Sequence, residues 1–531
     1  MPDPHPEPPP STPLEKALLV GAFVAAAVLL TWELGGREFW IDEQITVGHI
    51  RTAEGVYDAF HPPGYYFLLR QWAGVFGSSD GALRAFSVPW ALLALAMVWL
   101  IARRVLGPSV GVLAVWLCAL SPFALLYLRM ARYFACTMAA GLCVVYCLIL
   151  ARRYGRPLHY VGLGSSAAAL LWFHYVPSAL LPIGFLWVLS SVWRRGRERY
   201  RWAAAAAFPI LAYSPQILRT VRGIGAVSEG SEGHAVTLRA IAIKIAFAVY
   251  SILVGETTDF WRLYVVIPAA VAGFVLVVAG AGGVWRSRNP ERGPLLLAWP
   301  LALGLVVALL STVAASEPWP RVSSLALFAA PFVYMLIARG TTALPRAAGV
   351  GLAIVFMGGQ VYGVGNYLAR RQFLNPGYNA PWREVNRRIQ THGQPGDLAV
   401  AVLDSTAARY WDGPVQFYEP LAEEPTLGAE VRADMRRTLE AGNSVWVIVR
   451  DRGSQVARDA SQELIDGLAA CTHVHETDTF QDRTPGEQRW RSRIQGYPSD
   501  QAYLSVRRFR DPRPDALEAW AETPTSPHAH P

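Results

Sequence analysis

The sequence predicts a polytopic α-helical membrane protein with a C-terminal extracytoplasmic α/β domain, and three observations carry that prediction. Hydrophobic residues make up 53% of the 531-residue chain and charged residues 17%, a balance that soluble chains of this length do not carry. Apolar segments long enough to cross a bilayer recur as far as Tyr367. Beyond that residue the pattern changes to mixed charges with short apolar runs.

The first stretch, residues 1–13, is Pro-rich and polar and is expected to be disordered. A membrane domain over 14–371 follows, in which we read eleven spans: Leu14–Thr31, Ala82–Ala102, Val110–Leu126, Phe134–Ala151, Leu158–Phe173, Ser178–Val192, Trp202–Leu218, Leu263–Val284, Leu295–Ser311, Ser323–Ala338 and Ala347–Tyr367. No small-residue cleavage site follows the first span, which therefore reads as a retained signal anchor. Ala240–Val254 is short and bears Lys244, and is expected to lie at the outer surface or dip in. The stretch Arg222–Thr237, with Gly223, Gly225, Gly230 and Gly233, reads as a loop that closes over substrate or as a plain linker.

Arginine placement orients the spans. Clusters fall at Arg103-Arg104, at Arg152-Arg153 with Arg156, from Arg194 to Arg201, from Arg286 to Arg292, and at Arg339 with Arg346. With a cytoplasmic N-terminus every cluster lands on the cytoplasmic side of a multi-pass protein of the cytoplasmic membrane. The opposite loops carry Asp42-Glu43, Glu229, Glu232, and Glu317 with Trp319. The net charge of +8 is thus spent on orientation and on anionic lipid headgroups rather than on nucleic acid.

An odd number of spans places the second domain, 372–511, outside the cytoplasm. Strand-like runs at Leu398–Leu403, Val445–Val449 and Tyr503–Val506 alternate with helical patterns at Asp434–Ala441 and Gln462–Ala470. Cys471 is the one cysteine there, so no disulfide forms within the domain. It shows no phosphate-binding glycine loop, metal-spaced Cys/His set or Ser/His/Asp pattern. Residues 512–531 are expected to be a disordered tail.

The loop after the first span reads Phe39-Trp40-Ile41-Asp42-Glu43-Gln44. Acids at a membrane boundary are costly to desolvate and mark chemistry or ion handling; the alternative is a solvated interfacial loop with Phe39 and Trp40 in an aromatic belt. Further motifs follow in order: His61-Pro62-Pro63-Gly64-Tyr65-Tyr66, Leu83-Arg84, Ser121-Pro122-Phe123 and Ala131-Arg132-Tyr133. In this order the residues resemble the GT-C glycosyltransferases. Within them the chain is most similar to family 39, the protein O-mannosyltransferases and lipid A aminoarabinose transferases, densely between residues 37 and 136. Pro381-Trp382-Arg383 followed by Gly396-Asp397 resembles the start of the periplasmic domain of bacterial members.

The resemblance implies a GT-C fold of about eleven helices. It also implies transfer of a sugar, with inversion, from a polyprenyl-phosphate donor to a hydroxyl of a protein, lipid or polysaccharide at the outer face. Asp42 aligns with the first acid of the family's pair and is expected to be the general base, solvent-exposed on its loop. Glu43 takes an orienting or metal-binding role. His61 falls where relatives place His or Lys near the carrier phosphate, and Pro62-Pro63 lead into a surface helix, Gly64–Phe76, whose Tyr65, Tyr66, Phe67, Trp72 and Phe76 suit the interface. Arg129 and Arg132 sit in the outer loop Leu128–Tyr133, where arginine asks for an anionic partner; Arg132 is the first choice for the phosphate and Arg129 the second.

Relatives often carry an acid where this chain has Met130, so a second acidic site residue is not given. A divalent metal ion stays open, with Glu43 and His61 as its candidate ligands. His174-Tyr175, at the outer end of the fifth span, either reaches the site or caps a helix, and Arg321 matches a family arginine weakly. The rival readings are a lipid-linked sugar transporter or flippase, and a non-catalytic envelope scaffold. A flippase needs a charged path across the bilayer, whereas the notable ionisable residues here cluster at one face. A scaffold has no reason to combine Asp42 with outer-face arginines.

Overall fold

The structure is a computed structural model that describes residues 9–58, 61–193, 195–229, 238–287, 293–313, 323–402, 406–418, 429–450, 455–481 and 504–522. The chain divides into two compact units. One comprises residues 1–36, 46–316 and 320–373; the other comprises Arg37–Ile45, Glu317–Trp319 and Leu374–Pro531.

The first unit is a bundle of apolar helices. Pro13–Thr31 opens with a capping box: Glu15 N–H donates to the Thr12 hydroxyl and Thr12 N–H to the Glu15 carboxylate, with Pro13 at the first helical position. Among the described residues six helices are long and apolar enough to cross a membrane, and a bent pair adds a seventh. The chain is a multi-pass membrane protein. Two of the expected spans are broken, each at a proline. Val110–Leu126 is two helices, Pro108–Ala119 and Pro122–Leu128, bent by 64°. Pro122 has no N–H to continue the first helix, and Ser121 restarts the ladder by accepting the Ala124 N–H. Ser323–Ala338 is likewise Ser323–Ala326 and Ala330–Ala343, with Pro331 in the first turn of the second helix and Phe328 in the break.

One further expectation is corrected. The helix Glu198–Glu229 runs through the start of the glycine-bearing stretch read as a loop; residues 230–237 lie outside the described residues, as do Arg321, Glu317 and Trp319. The short apolar stretch after it is the helix Leu238–Leu253, with Lys244 buried.

Small residues let the bundle close. Gly280 in the helix Leu263–Trp285 and Gly340 in Ala330–Ala343 face each other's backbones. A Cβ on Gly280 would overlap the Leu336 carbonyl oxygen, and one on Gly340 the Leu276 carbonyl oxygen. Gly340→Leu is therefore expected to abolish monodisperse folded protein in detergent, because backbone, not a movable side chain, must give way. Gly282→Leu, on the helix Leu263–Trp285 with nothing within 4 Å, should keep the wild-type elution profile and thermal midpoint. Equal behaviour of the two variants in size-exclusion chromatography would refute this packing.

The second unit is an α/β domain around a five-stranded sheet. The strands are β1 (Leu398–Val402), β2 (Gln416–Tyr418), β3 (Val445–Arg450), β4 (Thr472–Gln481) and β5 (Leu504–Pro512), in the order β2-β1-β3-β5-β4. β1 pairs in parallel with β2 and β3, and β5 pairs antiparallel with β3 and β4. Period-two alternation sends Leu398, Val400, Val445 and Val447 to one face and Ala399, Ala401, Trp446 and Ile448 to the other. The first face buries helices Ala429–Glu440 and Gln455–Cys471, and the second buries Trp382–His392.

The expected tail is also corrected. Pro514–Glu522 is a helix whose Ala516, Leu517 and Trp520 share one face and pack on the first core. Asp397, from the Gly396-Asp397 motif, is a buried structural acid that accepts from Ser444 N–H at 2.7 Å and Trp446 Nε1 at 3.0 Å.

Candidate active site

The acid pair does not lie on a loop. Asp42 and Glu43 occupy the first turn of a helix, Ile41–Arg51, which also carries Thr46 and His49. Carboxylates at a helix N-terminus meet the positive end of its dipole. Asp42 is half-buried rather than exposed, and Glu43 is buried. Glu43 accepts the Trp40 N–H at 3.4 Å, as the acidic member of a capping box would. The segment before the acids is built into the second unit. Phe39 N–H donates to the Tyr410 hydroxyl at 2.6 Å, the Phe39 ring lies under Arg409, Arg383 pairs with Glu38 at 3.6 Å, and Trp40 packs edge-on to Tyr378. Phe39 is buried, which goes against the alternative reading of this segment as a solvated loop with an aromatic belt. Pro381-Trp382-Arg383 thus anchors this segment: Trp382 fills the domain core and Arg383 reaches Glu38.

A second group of predicted residues converges in the first unit. The break after Pro122–Leu128 delivers a buried loop, and Ser87 holds it by donating to the Met130 carbonyl at 2.7 Å. Arg132 donates to the Thr46 hydroxyl at 3.1 Å and lies 4.9 Å from the centre of the Tyr133 ring. Tyr133 in turn packs 4.6 Å from His61 and 4.4 Å from His174, and the two histidines stack at 5.3 Å with 29° between their planes. Tyr65 stands edge-on to Tyr133, and Phe328 from the broken span closes on His174.

The His61-Pro62-Pro63-Gly64 sequence makes this approach possible. A Cβ on Gly64 would come within 2.7 Å of the Trp172 carbonyl oxygen. Only glycine lets the helix Gly64–Phe76 start against the end of Pro157–Phe173, where His174 lies. That helix matches its expected bounds, but Tyr65 and Tyr66 are buried rather than interfacial, while Phe67 and Phe76 are exposed.

Of the two expectations for His174, the structure shows the cap. Its Nδ1 accepts the Val176 N–H at 3.1 Å and so caps the turn Tyr175–Ser178. This leaves the proton on Nε2, a buried donor with no hydrogen-bond partner among the described residues. Burial and the Arg132 charge press the His174 pKa down to about 3. Burial, then His174, Arg132 and His49, hold His61 well below the usual histidine range. Both rings are neutral at physiological pH, leaving Arg132 as the fixed charge beside them.

Arg129 is engaged differently: its guanidinium donates to the Trp32 carbonyl and lies 5.3 Å from the Tyr367 ring centre. Glu256 went unnoticed in the sequence as a site candidate. It is fully buried, and the Tyr127 hydroxyl lies 3.1 Å from both of its carboxylate oxygens. Its only sequence signal is an acid directly after an apolar helix. Among the described residues no group of three or more His, Cys, Asp or Glu could hold a metal ion. Beside the Arg132 guanidinium, His61 does not fit one.

Residues 60–218 match a family described as dolichyl-phosphate-mannose-protein mannosyltransferase. No curated protein matches the chain. Among solved structures, ArnT from Cupriavidus metallidurans in the apo state is similar with a TM-score of 0.54 and 14% identity, over 86% of this chain and 95% of that one. ArnT from the same organism bound to undecaprenyl phosphate is similar with a TM-score of 0.51 and 14% identity, over 94% of this chain and 98% of that one. Over residues 60–218 the sequence is thus similar to a family of membrane mannosyltransferases, and the fold of the chain is similar to that of ArnT.

Proposed function

We propose that this protein transfers a sugar from a polyprenyl-phosphate donor to a hydroxyl acceptor, with inversion, at the outer face of the cytoplasmic membrane. The observation that carries this reading is the buried Arg132, seated on Thr46 and Tyr133 beside two neutral histidines, one with an orphaned Nε2–H. A permanent cation with adjacent donors in a low-dielectric setting suits a phosphate. The likeness to a structure of ArnT bound to undecaprenyl phosphate supports the polyprenyl class of carrier.

In the reaction, the acceptor oxygen attacks the anomeric carbon as its proton passes to the Asp42 carboxylate. The bond from that carbon to the phosphate oxygen breaks, and its electron pair leaves with the phosphate. A neutral hydroxyl needs this base, and the departing phosphate, gaining charge, needs Arg132 and the histidine donors. Glu43, fixed to the Trp40 N–H, holds the turn that presents Asp42. With the N-terminus inside and the C-terminal unit outside, donor and acceptor meet outside.

Purified protein in sealed vesicles tests this. Synthetic polyprenyl-phosphate sugars and hydroxyl acceptors added outside right-side-out vesicles should give labelled product of inverted anomeric configuration and free polyprenyl phosphate. Inside-out vesicles should give it only once permeabilised. Absence of transfer across a panel of donors and acceptors, or product with retained configuration, would contradict the reading.

A further inference from the structure

The charge state of the His61–His174 pair has a consequence for the two phosphates this site would handle. A donor phosphodiester carries one negative charge, and one arginine with two neutral donor-bearing rings balances it. The phosphate monoester left after transfer has a second pKa of about 6 and carries close to two charges at pH 7.5.

From the stacked geometry of the pair beside Arg132, we propose that His61 and His174 together take up one proton when the monoester dianion occupies the site, and release it when a phosphodiester replaces the product. This deepens the proposed function and rests on it.

The geometry supplies the parts. The rings are stacked at 5.3 Å, so one shared proton places positive charge near both. The helix cap at His174 Nδ1 fixes the other nitrogen as a donor, and that Nε2–H is buried without a partner among the described residues. The ionisable neighbours acting on the pair are Arg132 from the buried loop and His49 from the helix Ile41–Arg51. The rings of Tyr133 and Tyr175 also flank it, with Tyr65 edge-on to Tyr133. Burial opposes protonation most, then Arg132 at both rings and His49 at His61. The pair is therefore neutral in the empty site. A dianion within reach reverses the sign of the local field and raises the affinity for a proton. The two rings titrate as a unit, and the proton belongs to the pair.

Sign and size follow from linkage. A site that takes up one proton on binding holds its ligand more weakly as pH rises, about tenfold per pH unit while uptake is complete. A ligand that recruits no proton shows no such slope.

Calorimetric titration of the full-length protein in detergent at pH 7.5, in two buffers of different ionisation enthalpy, measures the proton count directly. A short polyprenyl monophosphate should bind with uptake of about one proton and lose about tenfold in affinity from pH 7 to pH 8. A non-transferable polyprenyl phosphodiester should bind with none.

In His61→Asn/His174→Asn, Asn at 174 can still accept the Val176 N–H and keep the cap, so the monophosphate should bind more weakly, with no uptake and a flat pH dependence. The single variants report which ring holds the charge, and the wild-type proton count stands without any variant. Monophosphate binding without proton uptake overturns the inference and leaves the glycosyltransferase reading intact. Uptake that persists in the double variant places the proton on the phosphate itself and also overturns it. No binding of either lipid to the wild type overturns the function and the inference together.

Discussion

Asp42→Asn should reduce sugar transfer about a hundred- to ten-thousandfold, the usual effect of losing a general base, while the donor still binds. Asn keeps the size and hydrogen-bonding capacity of the side chain but cannot take the acceptor's proton. The change sits in the first helical turn of Ile41–Arg51 and on a half-buried side chain. The carboxylate loses its attraction to the helix dipole, which contributes up to about 2 kcal/mol in a partly buried setting, and Asn keeps the hydrogen-bonding capacity, so the protein should still purify folded. Glu43→Gln is the comparison. Gln can still accept the Trp40 N–H, so the turn keeps its cap and transfer should fall far less. A dead Glu43→Gln enzyme beside an active Asp42→Asn enzyme would exchange the two roles. Normal transfer by both would remove the acid pair from the chemistry.

How much of this was legible in the sequence depends on the range of the interactions. Periodicity and capping are local, so Pro13–Thr31, Gly64–Phe76 and the strand Val445–Arg450 fall close to where the residues alone put them. Prolines act against the apolar pattern that surrounds them. Pro122 and Pro331 lie inside long apolar runs, where hydrophobicity alone says span, and the missing N–H breaks both.

The helix under the acid pair was hidden by its own polar residues. Its start depends on Glu43 reaching back to Trp40 and on Phe39 reaching Tyr410, which is 371 residues away. No pattern in a single sequence encodes such a pairing. The same holds for the site. His61, His174 and Arg132 were each picked out by residue type and membrane face, but their stacking through Tyr133 depends on the Gly64 approach to Trp172. Glu256 was overlooked because a buried acid differs from a surface one only in what packs on it, here Tyr127.

Arg132→Ala should weaken binding of the polyprenyl-phosphate donor about ten- to hundredfold at pH 7.5, since a charge-assisted hydrogen bond contributes about 1.5–3 kcal/mol. The loop should survive the change, because Ser87 continues to hold the Met130 carbonyl. Arg132→Lys keeps the charge without the planar fork and should fall between the two. Arg132 also helps hold both histidines neutral, so its removal raises their pKa values. Burial is the larger cause of their low pKa values and stays in the variant, so the loss measured for Arg132→Ala should persist across the physiological pH range.

Arg129→Ala separates site from scaffold. That guanidinium is committed to the Trp32 carbonyl and the Tyr367 ring, so its loss should lower the thermal midpoint and leave donor affinity near wild type in the protein that folds. If Arg129→Ala loses donor binding while Arg132→Ala keeps it, the phosphate belongs with Arg129. The stacked histidines would then serve only to pack the loop.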